Sequence, residues 1–249
     1  MTLSPPNLDQ RLAARDRPAS SPVMYQRWQD LLFLHWRWDP AAIQATLPAG
    51  LTVDTFEGDA WVGIVPFWMR AVRPRFLPPL PGLSWFQELN LRTYVHDARG
   101  RPGVWFYALD CNQPLAVILA RSLFGLNYVH ARQTGCLPTS HRPAEFHSLR
   151  RATGGVSHFR YESVGATRTA APGSLEFFLV ERYRLFAQRR GRLWSGRVWH
   201  PPYAISAVDV DQAETALWVD HGFPSPDRPA DHAVMSSGVN VSVYPLQPV

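Results

Sequence analysis

The chain has 249 residues, 46% apolar and 12% aromatic with ten tryptophans, enough to bury a sizeable core in one large β-rich domain or two small ones. All 25 basic residues are arginine and none is lysine; a guanidinium stays protonated, so Schiff-base chemistry on a side-chain amine is excluded. The net charge of +5 comes from scattered arginines with short doublets such as Arg150-Arg151 and Arg189-Arg190, which describes a solvated surface and leaves nucleic-acid binding as the weaker alternative.

The opening 22 residues are polar and rich in proline, serine and alanine, and read as a flexible arm ahead of a single domain over residues 23–249. The arm has no apolar stretch of signal-peptide length, and nowhere do 18 apolar residues run uninterrupted. The expectation is a soluble, cytoplasmic protein without a membrane partner. Trp28–Trp38 reads as a buried strand, and Asp39-Pro40 supplies an N-cap and a first-turn proline for a short helix. Leu51–Phe56 and Ala60–Arg70 flank the turn Glu57-Gly58-Asp59 as a hairpin, and Pro74–Gly82 is a proline-rich loop crossing the mouth of a pocket. Phe86–His96 and Val104–Asp110 make a second hairpin, after which Asn112 and Pro114 open a helix to about Phe124. Strands follow near Tyr128–Gly135, Glu145–Arg151 and Ser157–Val164, then a short helix after Ser174. The hairpin Tyr183–Gln188 and Leu193–Trp199 turns at Arg190-Gly191, and strands near Ala204–Val210 and His232–Tyr244 close the chain. Many strands with few, short helices define an α+β class dominated by antiparallel sheet.

Alternation along FQELNLRTYV sets Glu88, Asn90 and Arg92 on one strand face, with Leu89 and Leu91 on the other. An acid, an amide and a guanidinium so aligned can bind and polarise an oxyanion or carboxylate; the competing account is a polar stripe facing water. In LLFLHWRWD, His35 and Arg37 share the face of Phe33, where burial demands a partner or contact with a wet cavity. Cys111 reads as a small buried thiol, and with Cys136 it makes no CxxC or zinc pattern. There is no HExxH, P-loop, GxGxxG or GxSxG, and His141 and His147 lack metal-ligand spacing, so neither a metal nor a nucleotide cofactor is expected.

The runs LLFLHWRWDP, LPAGLTVDTFEGDAWVGIVPFWM, FQELNLRTYV, PGVWFYALD, LVERYRLFA, WHPPY and GVNVSVYPL together resemble the YqjF-like domain-of-unknown-function family from about Tyr25 onward. That family is related to acetoacetate decarboxylase, and the resemblance implies a cone-shaped, largely antiparallel β domain around a closed pocket. It also implies that Glu88 is a pocket carboxylate and that Arg121 lies on a helix after a pocket strand. Gly125-Leu126-Asn127-Tyr128 falls where the decarboxylase has paired lysines; here that place offers Asn127, where the family usually has proline, and Tyr128. The expected protein holds a small carbonyl or carboxylate compound, with Arg92, Arg121 and Arg37 on the anion. Glu88 acts as acid or base, Tyr128 donates a hydrogen bond, and His35, Asn90 and Asn127 complete the contacts. Lyase, hydratase or isomerase chemistry needs no covalent amine. The alternative is a non-catalytic binding or sensing module, and homo-oligomerisation stays open.

Overall fold

The computed structural model describes residues 4–119 and 125–249. Polar residues 4–22, expected to be a flexible arm, contain helix α1 (Leu8–Ala13), closed by a reciprocal capping box between Asn7 and Gln10. The segment is tied to the rest of the chain: Arg11 pairs with buried Asp54, and Arg197 donates to the carbonyls of Ala14 and Asp16.

Strand β1 (Met24–Trp38) leads into α2 (Pro40–Gln44), capped by the Asp39 side chain as its sequence demands. β2 (Leu51–Val53), β3 (Ala60–Pro74), β4 (Phe86–Asp97) and β5 (Pro102–Cys111) follow. The expected hairpin between 51–56 and 60–70 closes only as a single Phe56–Asp59 bridge at its turn, without a ladder between the two segments. Both edges of β3 are taken, by β1 and β4, so β2 pairs instead with β4 from Leu51 opposite Asp97 to Val53 opposite Val95. Helix α3 (Pro114–Leu119) carries the crossover from β5 to the parallel strand β6 (Tyr128–Cys136). The helix's expected continuation to Phe124 lies outside the described residues. Next come β7 (Ala144–Arg150), β8 (Val156–Arg168), α4 (Leu175–Val180), the hairpin β9 (Arg184–Arg189) and β10 (Arg192–Trp199), β11 (Ile205–Thr215), α5 (Leu217–Asp220), β12 (His232–Val243) and β13 (Gln247–Pro248).

All thirteen strands of the described residues join one mixed sheet, and extra pairings of β10 with β12 and β4 with β5 fold it back on itself. Its central strands are buried on both faces. Along β1, Leu31 and Phe33 enter one apolar cluster while Leu32, Leu34 and Trp36 enter a second. The first cluster joins Phe86 and Tyr94 of β4 to Val239 and Val241 of β12, so strands from the two halves of the chain share one core. None of the described helices is long and apolar enough to cross a membrane.

Candidate functional site

Inside the first apolar cluster lies a cavity of about 390 Å³. Its wall is mostly hydrocarbon and aromatic, from Trp28 on β1, Met69 on β3, Phe86 on β4, Phe106 on β5 and Val243 on β12. Leu77, Pro78 and Leu80 of the proline-rich loop and Leu115 of α3 line it at one side. Those loop and helix residues also face water: Leu77 is 53% and Leu115 52% exposed, which places an apolar rim at the opening.

Several elements supply the polar groups in this cavity, including Gln26 on β1 and Arg184 on β9. β4 carries Glu88 and Arg92, β6 begins with Tyr128, and Arg182 and Tyr203 lie on segments that follow α4 and β10. Tyr128 donates its hydroxyl proton to Oε2 of Glu88 at 2.8 Å. Burial pushes the Glu88 carboxyl up to about 7, against hydrogen bonds from Tyr128 and Asn90 that favour the charged form. Burial also drives the Tyr128 phenol well above its usual range, with Glu88 adding to the shift, so Tyr128 stays a donor at neutral pH. A carboxyl poised near neutrality can take or give a proton without a large penalty either way.

Arg92 is held by a chain of hydrogen bonds running away from the cavity. Its Nη2 donates to the Tyr94 hydroxyl at 3.3 Å and to the Leu179 carbonyl at 3.4 Å. The Tyr94 hydroxyl lies 2.7 Å from Nε2 of His35, whose Nδ1 lies 3.1 Å from Nδ1 of His232. Burial lowers His35 well below the usual imidazole range, and the charges of His232, Arg92 and Arg182 add to the effect. A neutral His35 bridges Tyr94 and His232, the direction of each hydrogen bond following from its tautomer. Gly63 makes room for it, because a Cβ there would sit 2.9 Å from Cδ2 of the His35 ring. Arg182 is anchored by Asp54 at 2.8 Å, and Asp54 also grips Arg11 through two hydrogen bonds. The two arginines hold Asp54 below its usual range against its burial. Nε of Arg92 and Nη2 of Arg182 are buried donors with no acceptor among the described residues.

Residues 25–240 match the DUF2071 family, described as an uncharacterized conserved protein. The chain belongs to this family. It is 34% identical over 206 residues to the uncharacterized protein YqjF of Bacillus subtilis (strain 168), a span of 82% of this chain and 84% of that protein. Among solved structures, this DUF2071 chain is similar to an acetoacetate decarboxylase-like enzyme from Sphingomonas wittichii RW1, with a TM-score of 0.62 and 17% identity over 92% of this chain and 94% of that one. It is also similar to the enduracididine biosynthesis enzyme MppR complexed with pyruvate, at TM-score 0.62 and 12% identity over 94% and 93% of the two chains. Acetoacetate decarboxylase from Legionella pneumophila gives 0.60 and 12% over 95% and 94%. At these identities the likeness is one of fold, and the DUF2071 chain has the acetoacetate decarboxylase-like fold that its sequence motifs implied.

The DUF2071 fold brings together some of the residues picked out in the sequence and separates others. Glu88, Asn90 and Arg92 are all buried, which removes the water-facing stripe, and Tyr128 meets Glu88 directly. His35 lies behind the cavity wall and acts on Arg92 through Tyr94. Arg37 is not in the cavity. Its side chain is 59% exposed, 3.5 Å from Asp59 and over the Trp61 ring, because β1 leaves the core at its end. Asn127 is exposed too, donating to the Phe106 carbonyl at 3.5 Å. Arg121 lies outside the described residues. Cys111 is buried, its thiol pushed up to about 12 by burial, as expected of an inert core thiol. Arg182 was missed, although an arginine in the apolar run LEFFLVERYRLF must find a carboxylate if buried. His147, set aside for lack of spacing along the chain, lies beside Glu145 and His158 across two strands.

Proposed function

We propose that this cavity binds a carbonyl or carboxylate compound with an apolar body, and that Glu88 moves a proton on the carbon next to its carbonyl. The observation that carries this reading is the Glu88–Tyr128 pair inside a hydrocarbon-walled cavity of about 390 Å³ that Arg92 and Arg182 also line. The two guanidinium donors without acceptors among the described residues support an anionic or carbonyl head group, since an unmet buried donor costs about 1–3 kcal/mol. Pyruvate bound to MppR is a 2-oxo acid in a protein of the same fold; here the apolar wall favours a longer chain. Proton abstraction by Glu88, with Tyr128 and Arg92 steadying the developing enolate, corresponds to lyase, hydratase or isomerase chemistry. With no lysine in the chain, no side-chain amine is offered for a Schiff base.

The test is calorimetric titration with pyruvate, 2-oxobutanoate, 2-oxohexanoate and 2-oxooctanoate, followed by exchange of the C3 protons in D₂O by NMR. Affinity should rise with length by up to roughly fourfold per methylene, the equivalent of about 0.8 kcal/mol per buried CH₂. Arg92→Ala should weaken binding at least about tenfold by removing a charged hydrogen bond. Borohydride added with substrate should trap no side-chain adduct. Binding without proton exchange would favour a non-catalytic module using the same cavity, for which the largely apolar wall is the supporting observation. No binding across the series would reject the reading.

A further inference from the structure

The geometry points to a zinc site on the outer face of the β7–β8 hairpin, formed by Glu145, His147 and His158. His147 and His158 are direct cross-strand partners, and Glu145 is two residues before His147 on the same face of β7. The buried Phe146 and Phe159 point the other way, so the strand alternation that builds the core also projects these three ligands outward.

The donor atoms converge. Oε1 of Glu145 lies 3.3 Å from Nε2 of His147 and 3.2 Å from Nε2 of His158, and the three ligand atoms all lie within 4.8 Å of one another. Both Nε2 atoms approach the same carboxylate oxygen, while the imidazoles stack at 4.0 Å between centroids with 19° between planes, so one ring turns about its side-chain bonds to bring both nitrogen lone pairs onto a single ion. In a tetrahedral zinc site with bonds of about 2.0–2.1 Å, neighbouring ligand atoms are about 3.3–3.4 Å apart. The observed separations to the carboxylate oxygen are close to that tetrahedral edge. Two imidazoles and one carboxylate suit zinc among common dications, whereas magnesium and calcium prefer all-oxygen sites. The side chains are 27–43% exposed, which leaves a fourth position for water. Bound zinc would clamp β7 to β8. None of the three residues lines the cavity, so this site is independent of the function proposed above.

Calorimetric titration of the chelator-treated full chain with zinc chloride should give one equivalent bound. His147→Ala and His158→Ala should each weaken it by roughly a hundredfold, and Glu145→Gln by about tenfold, following the ligand count. Cobalt(II) should give the intense visible absorption of four-coordinate geometry in the wild type and lose it in the His147→Ala/His158→Ala double variant. Zinc should raise the melting temperature of the wild type but not of that double variant. Cys136, whose backbone pairs with Glu145 in the next strand, supplies the control: Cys136→Ser should retain full affinity. Equal zinc binding by wild type and double variant, or loss of binding in Cys136→Ser alone, would overturn the proposal.

Discussion

A Glu88→Gln variant should lose C3 proton exchange by about a hundredfold or more, the usual contribution of a general acid–base group, while gaining stability at neutral pH. Burial raises the folded Glu88 carboxyl from 4.5 to about 7, so the folded chain holds a proton that the unfolded chain releases. The protonated carboxyl therefore contributes its full stability below about pH 4.5, and that contribution is lost as pH rises through about 7. A shift of that size corresponds to about 3 kcal/mol. Glutamine is neutral throughout and still offers Tyr128 an acceptor oxygen, so its variant escapes the loss. Urea denaturation of both proteins between pH 4 and 8 should give curves that coincide at the acid end and diverge towards pH 8, with the variant the more stable. Superimposed profiles would show that Glu88 is not titrating in the folded interior, and the proton-transfer role would fall with it.

Arg150→Ala should be among the most destabilising single changes in the molecule, at about 3–5 kcal/mol, because it strips the partner from a buried carboxylate. Arg150 on β7 holds Asp110 of β5 through two hydrogen bonds at 2.8 and 2.7 Å, with Asp110 only 1% exposed. The same guanidinium reaches Asp220 on α5 at 3.1 Å and His221 at 2.9 Å. It therefore joins three elements whose backbones are distant in sequence. Even with Arg150 present, burial keeps Asp110 above its usual range, so removing the arginine should drive Asp110 to take up a proton. The destabilisation should accordingly grow as pH rises above the carboxylate range. Adding Asp110→Asn to Arg150→Ala should recover a good part of the loss, since an amide costs less to bury than an unpaired charge. A shift of the urea midpoint equivalent to under 1 kcal/mol for Arg150→Ala would mean that the pair is no better than a surface contact.

How far the sequence could be followed depended on whether each feature was local. Asp39-Pro40 and Ser174 start helices through contacts within three residues, and the structure places helices where those signals stand. The β4–β5 and β9–β10 hairpins are likewise local pairings. The β2–β3 hairpin failed because a good turn at Glu57-Gly58-Asp59 says nothing about which strands compete for the edges of β3. Alternation placed Glu88, Asn90 and Arg92 on one face, but whether that face met water depended on sheet closure, which alternation alone does not encode. Arg37 shares its alternation phase with His35 yet lies beyond the point where β1 is covered. The Glu145–His147–His158 cluster was hidden for a related reason: its decisive contact is the register of β7 against β8.

Asp54, gripped from one side by Arg11 and from the other by Arg182, makes the boundary of the conserved family match a poor place to cut this chain. A fragment starting at residue 25 would keep every strand of the sheet and every side chain named in the cavity. It would nonetheless leave Asp54 with a single cation, and Arg182 would have to neutralise alone a carboxylate that two arginines now share. The electrostatic potential at the cavity wall is thus partly written in a segment outside the family match. Recombinant versions that begin at residue 25 would carry the cavity with altered charge balance, and their ligand affinities would describe a different binding site.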